Sequence, residues 1–248
     1  MTTAGVVEFV LVEPEHPGNV GSSARALLNM GFAHLVVVDP TGSGWVDHDQ
    51  ARAMACAAKR ILNSARVVSS VDEALSSSHR IVGTTRRHRD ERGPDPALIE
   101  RLSGSLIRSV ASGETVSILF GPEDRGLSAA DLARCHELVT IPTAPESPSL
   151  NLAQAVLLVA YELHRGLGSE ESVDSDSGPL PAEESEIQGL LEHAKQALVC
   201  SGSITSDTPA GRFETLRRLL LRRRPNTAEV KLLRGLFRLI EKSGDVDR

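Results

Sequence analysis

The chain has 248 residues, 40% of them hydrophobic, which is enough for one large domain, or one plus a small one, and excludes wholesale disorder. Aromatic residues make up only 3%, so stacking of bases on exposed rings cannot be its main route to nucleic acid. The net charge of −6 hides a contrast: seven acidic and no basic residues lie between Leu167 and Glu186, but residues 210–242 hold ten Lys/Arg against three Glu. A basic patch is a local property, so the total excludes no partner.

Cys56, Cys135 and Cys200 stand far apart and form no C-x-x-C pair. Reduced thiols are expected, with neither a disulfide framework nor a zinc site. The histidines show no metal-ligand spacing, and His16, His34 and His136 are expected in turns or at the surface. No apolar run reaches the roughly 18 residues of a membrane span, and Met1-Thr2-Thr3-Ala4 lacks a basic leader region. The expectation is a soluble, cytoplasmic protein without a membrane or metal partner.

In chain order, Val6–Glu13 reads as a buried strand and Asn19–Met30 as a helix. Leu35–Asp39 (strand), Asp49–Leu62 (helix), Ile81–Thr84 (strand) and Pro96–Ala111 (helix) follow. Then come Val116–Gly121 (strand), Ser128–Cys135 (helix), Leu138–Pro142 (strand) and the apolar helix Asn151–Arg165. Such alternation predicts an α/β domain over residues 1–166, with a parallel sheet covered by helices on both faces. Residues 167–182 read as an acidic Ser/Pro linker, and residues 183–248 as a small helical extension with a basic face.

The first strand runs into Pro17-Gly18-Asn19-Val20-Gly21-Ser22-Ser23-Ala24-Arg25. Gly18-x-x-Gly21 is neither the dinucleotide fingerprint nor a phosphate-binding P-loop. Asp39, the only acidic candidate at the end of the second strand, does not rescue a dinucleotide-dependent enzyme. On the helix, Val20, Ala24, Leu27 and Leu28 form an apolar face, while Ser22, Arg25 and Asn29 line another. Arg25 would stand one turn into a helix above the carboxyl end of a strand, where open α/β sheets bind ligands. Taken alone, it is a solvated helix face.

Two more segments change that reading. Leu119-Phe120-Gly121-Pro122-Glu123-Asp124-Arg125-Gly126-Leu127-Ser128 is a strand, a glycine-bounded turn and a capped helix start. Ile141-Pro142-Thr143 through Pro148-Ser149-Leu150-Asn151-Leu152 follows the last strand and opens the long helix. Each alone is ordinary turn chemistry. In this order and spacing, the three segments resemble the motifs of the SPOUT methyltransferase superfamily over residues 6–166. Leu216-Arg217-Arg218-Leu219, Arg222-x-Arg224-Pro225 and Leu233-Arg234-Gly235 narrow the resemblance to the TrmJ-type tRNA (cytidine/uridine-2′-O-)-methyltransferases, which act at nucleotide 32 of the anticodon loop.

The resemblance implies a deep C-terminal trefoil knot, a homodimer and tRNA lying across both subunits. It implies S-adenosylmethionine held by three loops: Thr84, Thr85 and Arg86; Gly121; and Ile141 with Pro148, Ser149 and Leu150. It places Arg25 at the chemistry, with Asn19, Glu123, Ser149 and Asn151 around it. A ribose hydroxyl must lose its proton as it attacks, and the sulfonium donor is already activated, so no metal is implied. Arginine stays protonated, so Arg25 aligns the hydroxyl and stabilises developing alkoxide, while a phosphate or another group takes the proton. RNA contacts are implied for Arg86, Arg87 and Arg89, and for Arg217, Arg218, Arg222 and Arg224. Pro122, where the family often has a basic residue, and the Ser147-Pro148 lead-in depart from its pattern. Alternatives are ribose methylation at another tRNA position or of rRNA, and a non-catalytic knotted RNA-binding module. The presence of Arg25 and the Gly121 loop speaks for catalysis.

Overall fold

In β1 (Val6–Val12), Phe9 and Leu11 enter one hydrophobic cluster and Val10 and Val12 the other, and all four are buried. Strand side chains alternate between faces, so a strand buried on both sides lies inside a sheet with two covered faces. The computed structural model describes residues 5–39, 41–86, 96–167, 178–201 and 211–244.

After β1 come α1 (Pro17–Asn29), β2 (His34–Val38), α2 (Asp49–Ala55), a 3-10 turn (Cys56–Ala58), α3 (Lys59–Asn63), β3 (Arg66–Val68), α4 (Val71–Leu75) and β4 (Arg80–Thr84). The chain continues through β5 (Ala97–Leu98), α5 (Ile99–Ala111), β6 (Thr115–Phe120), α6 (Ala129–Arg134), β7 (Glu137–Thr140) and α7 (Leu152–Leu167). Among the described residues the seven strands pair in parallel, in the order β3-β2-β1-β6-β4-β7-β5. Helices α1, α5 and α7 supply Val20, Leu27, Leu106, Val156 and Leu163 to one face, and α4 and α6 supply Leu75 and Leu132 to the other. Each such side chain, fully buried, stabilises the fold by about 1.5–3 kcal/mol.

The expected strands are all present, with three corrections among the helices and edges. The helix expected over Asp49–Leu62 is broken at Cys56, whose φ of +50° and ψ of −118° end α2. The helix expected from Pro96 starts at Ile99, because Ala97 and Leu98 pair with Val139 and Thr140 of β7. β3 and α4 have no counterpart among the elements expected from the sequence. β3 is three residues long at a sheet edge, and its Val67 is 51% exposed, so it lacks a buried strand's apolar run. His136 also differs from a plain surface residue: half-buried, its Nδ1 accepts from the Ile81 backbone N–H at 2.8 Å.

A buried arginine ties this end of the sheet together. Arg80 Nε and Nη2 donate to the two carboxylate oxygens of Glu137 at 2.7 and 2.8 Å, and its Nη1 donates to Ser109 Oγ at 3.0 Å. The planar fork thus joins β4, β7 and α5 at once.

The chain divides into two compact units, Met1–Ser177 and Gly178–Arg248. Among its described residues the second holds three helices, α8 (Glu184–Cys200), α9 (Gly211–Arg223) and α10 (Thr227–Gly244). Ile187, Leu190, Leu191, Leu220 and Val230 form its core. Asn226 caps α10: its Oδ1 accepts from the Ala228 and Glu229 N–H groups at 2.9 and 3.0 Å. Of the expected linker, residues 168–177 lie outside the described residues. Its end is no linker: Ala182 N–H donates to Pro225 O at 2.8 Å and Pro181 bridges Asn226, so this stretch is built into the second unit. Among the described residues, no helix is long and apolar enough to cross a membrane.

Candidate active site

The carboxyl ends of β4, β6 and β7 lie side by side, and the segments leaving them enclose a cavity of about 160 Å³. Thr84 Oγ1 donates to Leu119 O at 2.8 Å, and Thr85 N–H extends the ladder to Val139 O at 2.9 Å. After β6 the chain turns back sharply. A Cβ on Gly121 would sit 2.2 Å from Leu127 N and 2.3 Å from Gly126 C, both backbone, so only glycine fits. Gly126 closes the turn at φ +68°.

All eight residues assigned to the cofactor line this cavity: Thr84, Thr85, Arg86, Gly121, Ile141, Pro148, Ser149 and Leu150. Phe120, Leu127 and Leu152 add apolar wall, and Glu123, Asp124 and Arg125 add charge.

A polar network joins the three sequence motifs beside the cavity. Asn19 Nδ2 donates to Glu123 Oε1 at 2.5 Å, and Asn151 Nδ2 donates to Asn19 Oδ1 at 2.9 Å. The second oxygen of Glu123 accepts from the Glu15 N–H at 3.0 Å. Asn151 serves twice, since its Oδ1 also accepts from Ala153 N–H at 2.9 Å at the start of α7.

Glu15 and Asp124 form a carboxyl pair joined by a hydrogen bond. The hydrogen bond with Asp124 is the largest cause that raises the Glu15 pKa, aided by desolvation and by the charges of Asp124 and Glu123. Desolvation works against ionisation of Asp124, but the hydrogen bond from Glu15 and the charge of Arg125 hold its carboxyl below the usual range. Arg125 spans the group, with Nη2 2.7 Å from Glu13 Oε2 and Nη1 3.3 Å from Asp124 Oδ1. Sequence reasoning missed Glu13, Glu15 and Arg125 as neighbours, because a charged loop residue carries no periodic signal.

Arg25 is exposed on α1, while Val20, Ala24 and Leu27 are fully buried. It does not line the cavity of its own chain; its Nη1 lies 3.8 Å from Cys56 Sγ. The glycines of the first motif have a packing role. A Cβ on Gly21 would lie 2.0 Å from Ala51 O, so this glycine lets α1 approach α2, and Gly18 faces the Gln50 side chain. Ser149 is exposed on the cavity wall and Arg86 is exposed at its edge. Arg87 and Arg89 lie outside the described residues. On α9, Arg218 and Arg222 are exposed and Arg217 is half-buried, while Arg224, at φ +47°, follows the helix end and is half-buried. Among the described residues, no group of three or more His, Cys, Asp or Glu could hold a metal ion.

Comparison with known proteins agrees with this geometry. The SpoU rRNA Methylase family model matches residues 7–161, and the model of the tRNA methyltransferase TrmJ C-terminal domain matches residues 185–248. The tRNA (cytidine/uridine-2′-O-)-methyltransferase TrmJ of Klebsiella pneumoniae subsp. pneumoniae is 37% identical over 243 residues, 95% of this chain and 96% of the relative. Its namesake from Escherichia coli K12 is 36% identical over 240 residues, 95% of each chain. The crystal structure of TrmJ from Z. mobilis ZM4 superposes with a TM-score of 0.79 at 34% identity, covering 96% of this chain and 100% of that one. With three ordered motifs meeting at one cavity and matches running along nearly its whole length, the chain belongs to the SpoU methylase family and, within it, to the TrmJ methyltransferases.

Proposed function

We propose that this protein transfers a methyl group from S-adenosylmethionine to the ribose 2′-hydroxyl of a tRNA cytidine or uridine, at nucleotide 32 of the anticodon loop. The observation that carries this reading is the convergence of the β4, β6 and β7 loops on one cavity, with Asn19, Glu123 and Asn151 bonded beside it. The names of the relatives support the target, and the match of the C-terminal unit favours tRNA over rRNA.

The cavity residues fit that methyl donor. Phe120, Leu127, Ile141 and Leu150 offer apolar contact to a flat base, and backbone groups of the three loops offer hydrogen bonds to its edge. The Glu123 and Asp124 carboxylates supply the negative potential that a sulfonium and an ammonium require. When bound, the donor supplies a methyl group on positively charged sulfur, activated without a metal.

The protein's own contribution is positioning. Arg25 presents a guanidinium that orients the 2′-hydroxyl and stabilises the alkoxide as it forms. Asn19 and Asn151 fix the motif that carries Arg25 against the loop that carries Glu123, and Ser149 faces the ribose from the cavity wall. A homodimer completes the site. Leu157, Leu158 and Tyr161 leave an exposed apolar strip on α7, a helix that packs against α1. In that assembly one RNA meets the cavity of one subunit and Arg25 of the other. The trefoil knot is what membership of the family fold implies. Arg86, Arg87 and Arg89, with Arg217, Arg218, Arg222 and Arg224, contact phosphates, and the enzyme works in the cytoplasm.

The test is methylation of unmodified tRNA transcripts by the purified protein, with the product mapped by mass spectrometry. A 2′-O-methyl group at nucleotide 32, lost when that nucleotide is a 2′-deoxyribonucleotide, is the expected result. Methylation at another position, or of rRNA fragments only, overturns the target assignment.

A further inference from the structure

We infer that Cys56 is a positioning residue for Arg25, its sulfur holding the guanidinium in place on the surface of α1. This rests on the reading of Arg25 as the group that meets the ribose.

Three observations meet at this pair. Arg25 Nη1 lies 3.8 Å from Cys56 Sγ, across 31 residues of chain. The thiol has its own direction: Cys56 Sγ donates to Ala53 O at 3.4 Å, which leaves the sulfur lone pairs to accept from the guanidinium. The backbone of Cys56 is held at φ +50° and ψ −118°, a conformation that glycine adopts freely and other residues rarely do. A cysteine here keeps an unfavourable backbone, and its side chain links Ala53 O on its own turn to the Arg25 guanidinium across the helix pair.

The arrangement makes mechanical sense. Arg25 is exposed, and a free arginine loses much rotamer freedom when it must meet a substrate atom in one geometry. A weak acceptor on the neighbouring helix end restricts that freedom without neutralising the charge. A carboxylate in its place would bind the guanidinium more tightly and compete with the developing alkoxide. Gly21, which brings α1 against Ala51, sets the helix spacing that lets the two side chains meet one turn further on.

The experiment is a double-mutant cycle on the full-length protein, using Cys56→Gly, Cys56→Ala, Cys56→Ser and Arg25→Ala. Single-turnover methyl transfer at saturating tRNA, S-adenosylmethionine affinity and Tm are measured for each. For Cys56→Gly the Tm is expected to hold or rise, since glycine relieves the backbone, and cofactor affinity is expected to stay constant. The rate is expected to fall by about three- to tenfold, the loss from a misplaced reacting group. Cys56→Ser, whose oxygen also accepts, should keep more of the rate than Cys56→Ala. In the Arg25→Ala background, Cys56→Gly should change nothing further. If Arg25→Ala is impaired but Cys56→Gly matches the parent, the positioning role is wrong and the reading of Arg25 stands. An equal loss from Cys56→Gly in both backgrounds also overturns the positioning role. If Arg25→Ala itself turns over like the parent, it is the proposed role of Arg25 that fails.

Discussion

Asn19 Nδ2 donates to Glu123 Oε1 at 2.5 Å, joining residues 104 positions apart in the chain. Because Asn19 Oδ1 also accepts from Asn151, one amide connects the first turn of α1, the turn after β6 and the start of α7. The amide gives through its nitrogen and accepts through its oxygen, which a carboxylate in its place cannot do. Asn19→Asp loses the donor and places a second carboxylate against Glu123. It is expected to lower stability by about 1–3 kcal/mol and to weaken cofactor binding at least about tenfold. Calorimetric titration with S-adenosylmethionine and urea unfolding measure both, and parental values for both would show that the amide is peripheral.

Gly121 and Gly104 should respond in opposite ways to alanine. At Gly121 the new methyl meets backbone at 2.2 Å, so Gly121→Ala must open the turn that forms the cavity wall. A loss of about 1–3 kcal/mol, with cofactor binding abolished, is expected. In the middle of α5, a Cβ on Gly104 meets only the end of the Arg108 side chain at 3.5 Å. Gly104→Ala should therefore stabilise by about 0.5–1 kcal/mol. Thermal melts of the two variants side by side decide the matter.

For Arg25 the expected signature is a rate effect without a folding effect. Its side chain is exposed, while Val20, Ala24 and Leu27 on the opposite face hold the helix. Arg25→Ala should slow methyl transfer by about 10²–10⁴ with Tm and cofactor affinity nearly unchanged. Arg25→Lys should recover little, because an ammonium cannot reproduce the planar fork. A normal single-turnover rate combined with weak tRNA binding would instead make Arg25 a phosphate anchor.

Glu15 and Asp39 should give opposite pH dependences of stability. The Glu15 pKa is raised in the folded state, so its contribution is full below about 4.5 and is lost as pH rises through the folded value. Glu15→Gln should thus gain on the parent as pH rises through the raised folded value. For Asp39, desolvation is outweighed by the Ser43 and Gly44 N–H groups and the hydroxyls of Thr41 and Ser43, so its pKa is lowered. Its contribution is present above about 3.8 and is lost as pH falls through the depressed folded value. Asp39→Asn should therefore be destabilised at neutral pH and approach the parent on acidification. Urea unfolding between about pH 3 and 7 reads both, and parallel curves for parent and variants would refute the assignments.

The arginines of α9 should reveal themselves through salt. Replacing Arg218 and Arg222, both exposed, with alanine should weaken tRNA binding and reduce the slope of log K against log salt. The expected reduction is about 0.7–0.9 for each phosphate that the variant no longer neutralises. Filter binding across a salt series checks it, and an unchanged slope would make these side chains ordinary surface.

The α/β class, the strands and the three motifs could be read from the sequence because each leaves a local trace. Buried strands such as Leu35–Asp39 are apolar runs, and a glycine such as Gly121 stands where the backbone has no alternative. The identity of the cavity residues followed from motif resemblance, not from periodicity. β3, β5 and the break at Cys56 left no such trace. A two-residue strand exists only because β7 offers a ladder, and a cysteine with left-handed φ looks like any other cysteine in a helical run.

By itself, then, the sequence determined what local forces decide: which segments bury both faces, which alternate as strand and helix, and which motifs recur in order. Tertiary structure alone decided which distant residues meet. The Asn19–Glu123–Asn151 network, the Glu15–Asp124 pair and the Arg25–Cys56 contact each join separate segments brought together by parallel crossovers. Hydrophobic patterning buries a helix face without distance information, whereas a hydrogen bond depends on positions within a few tenths of an ångström, set only when the whole sheet and its helices have packed.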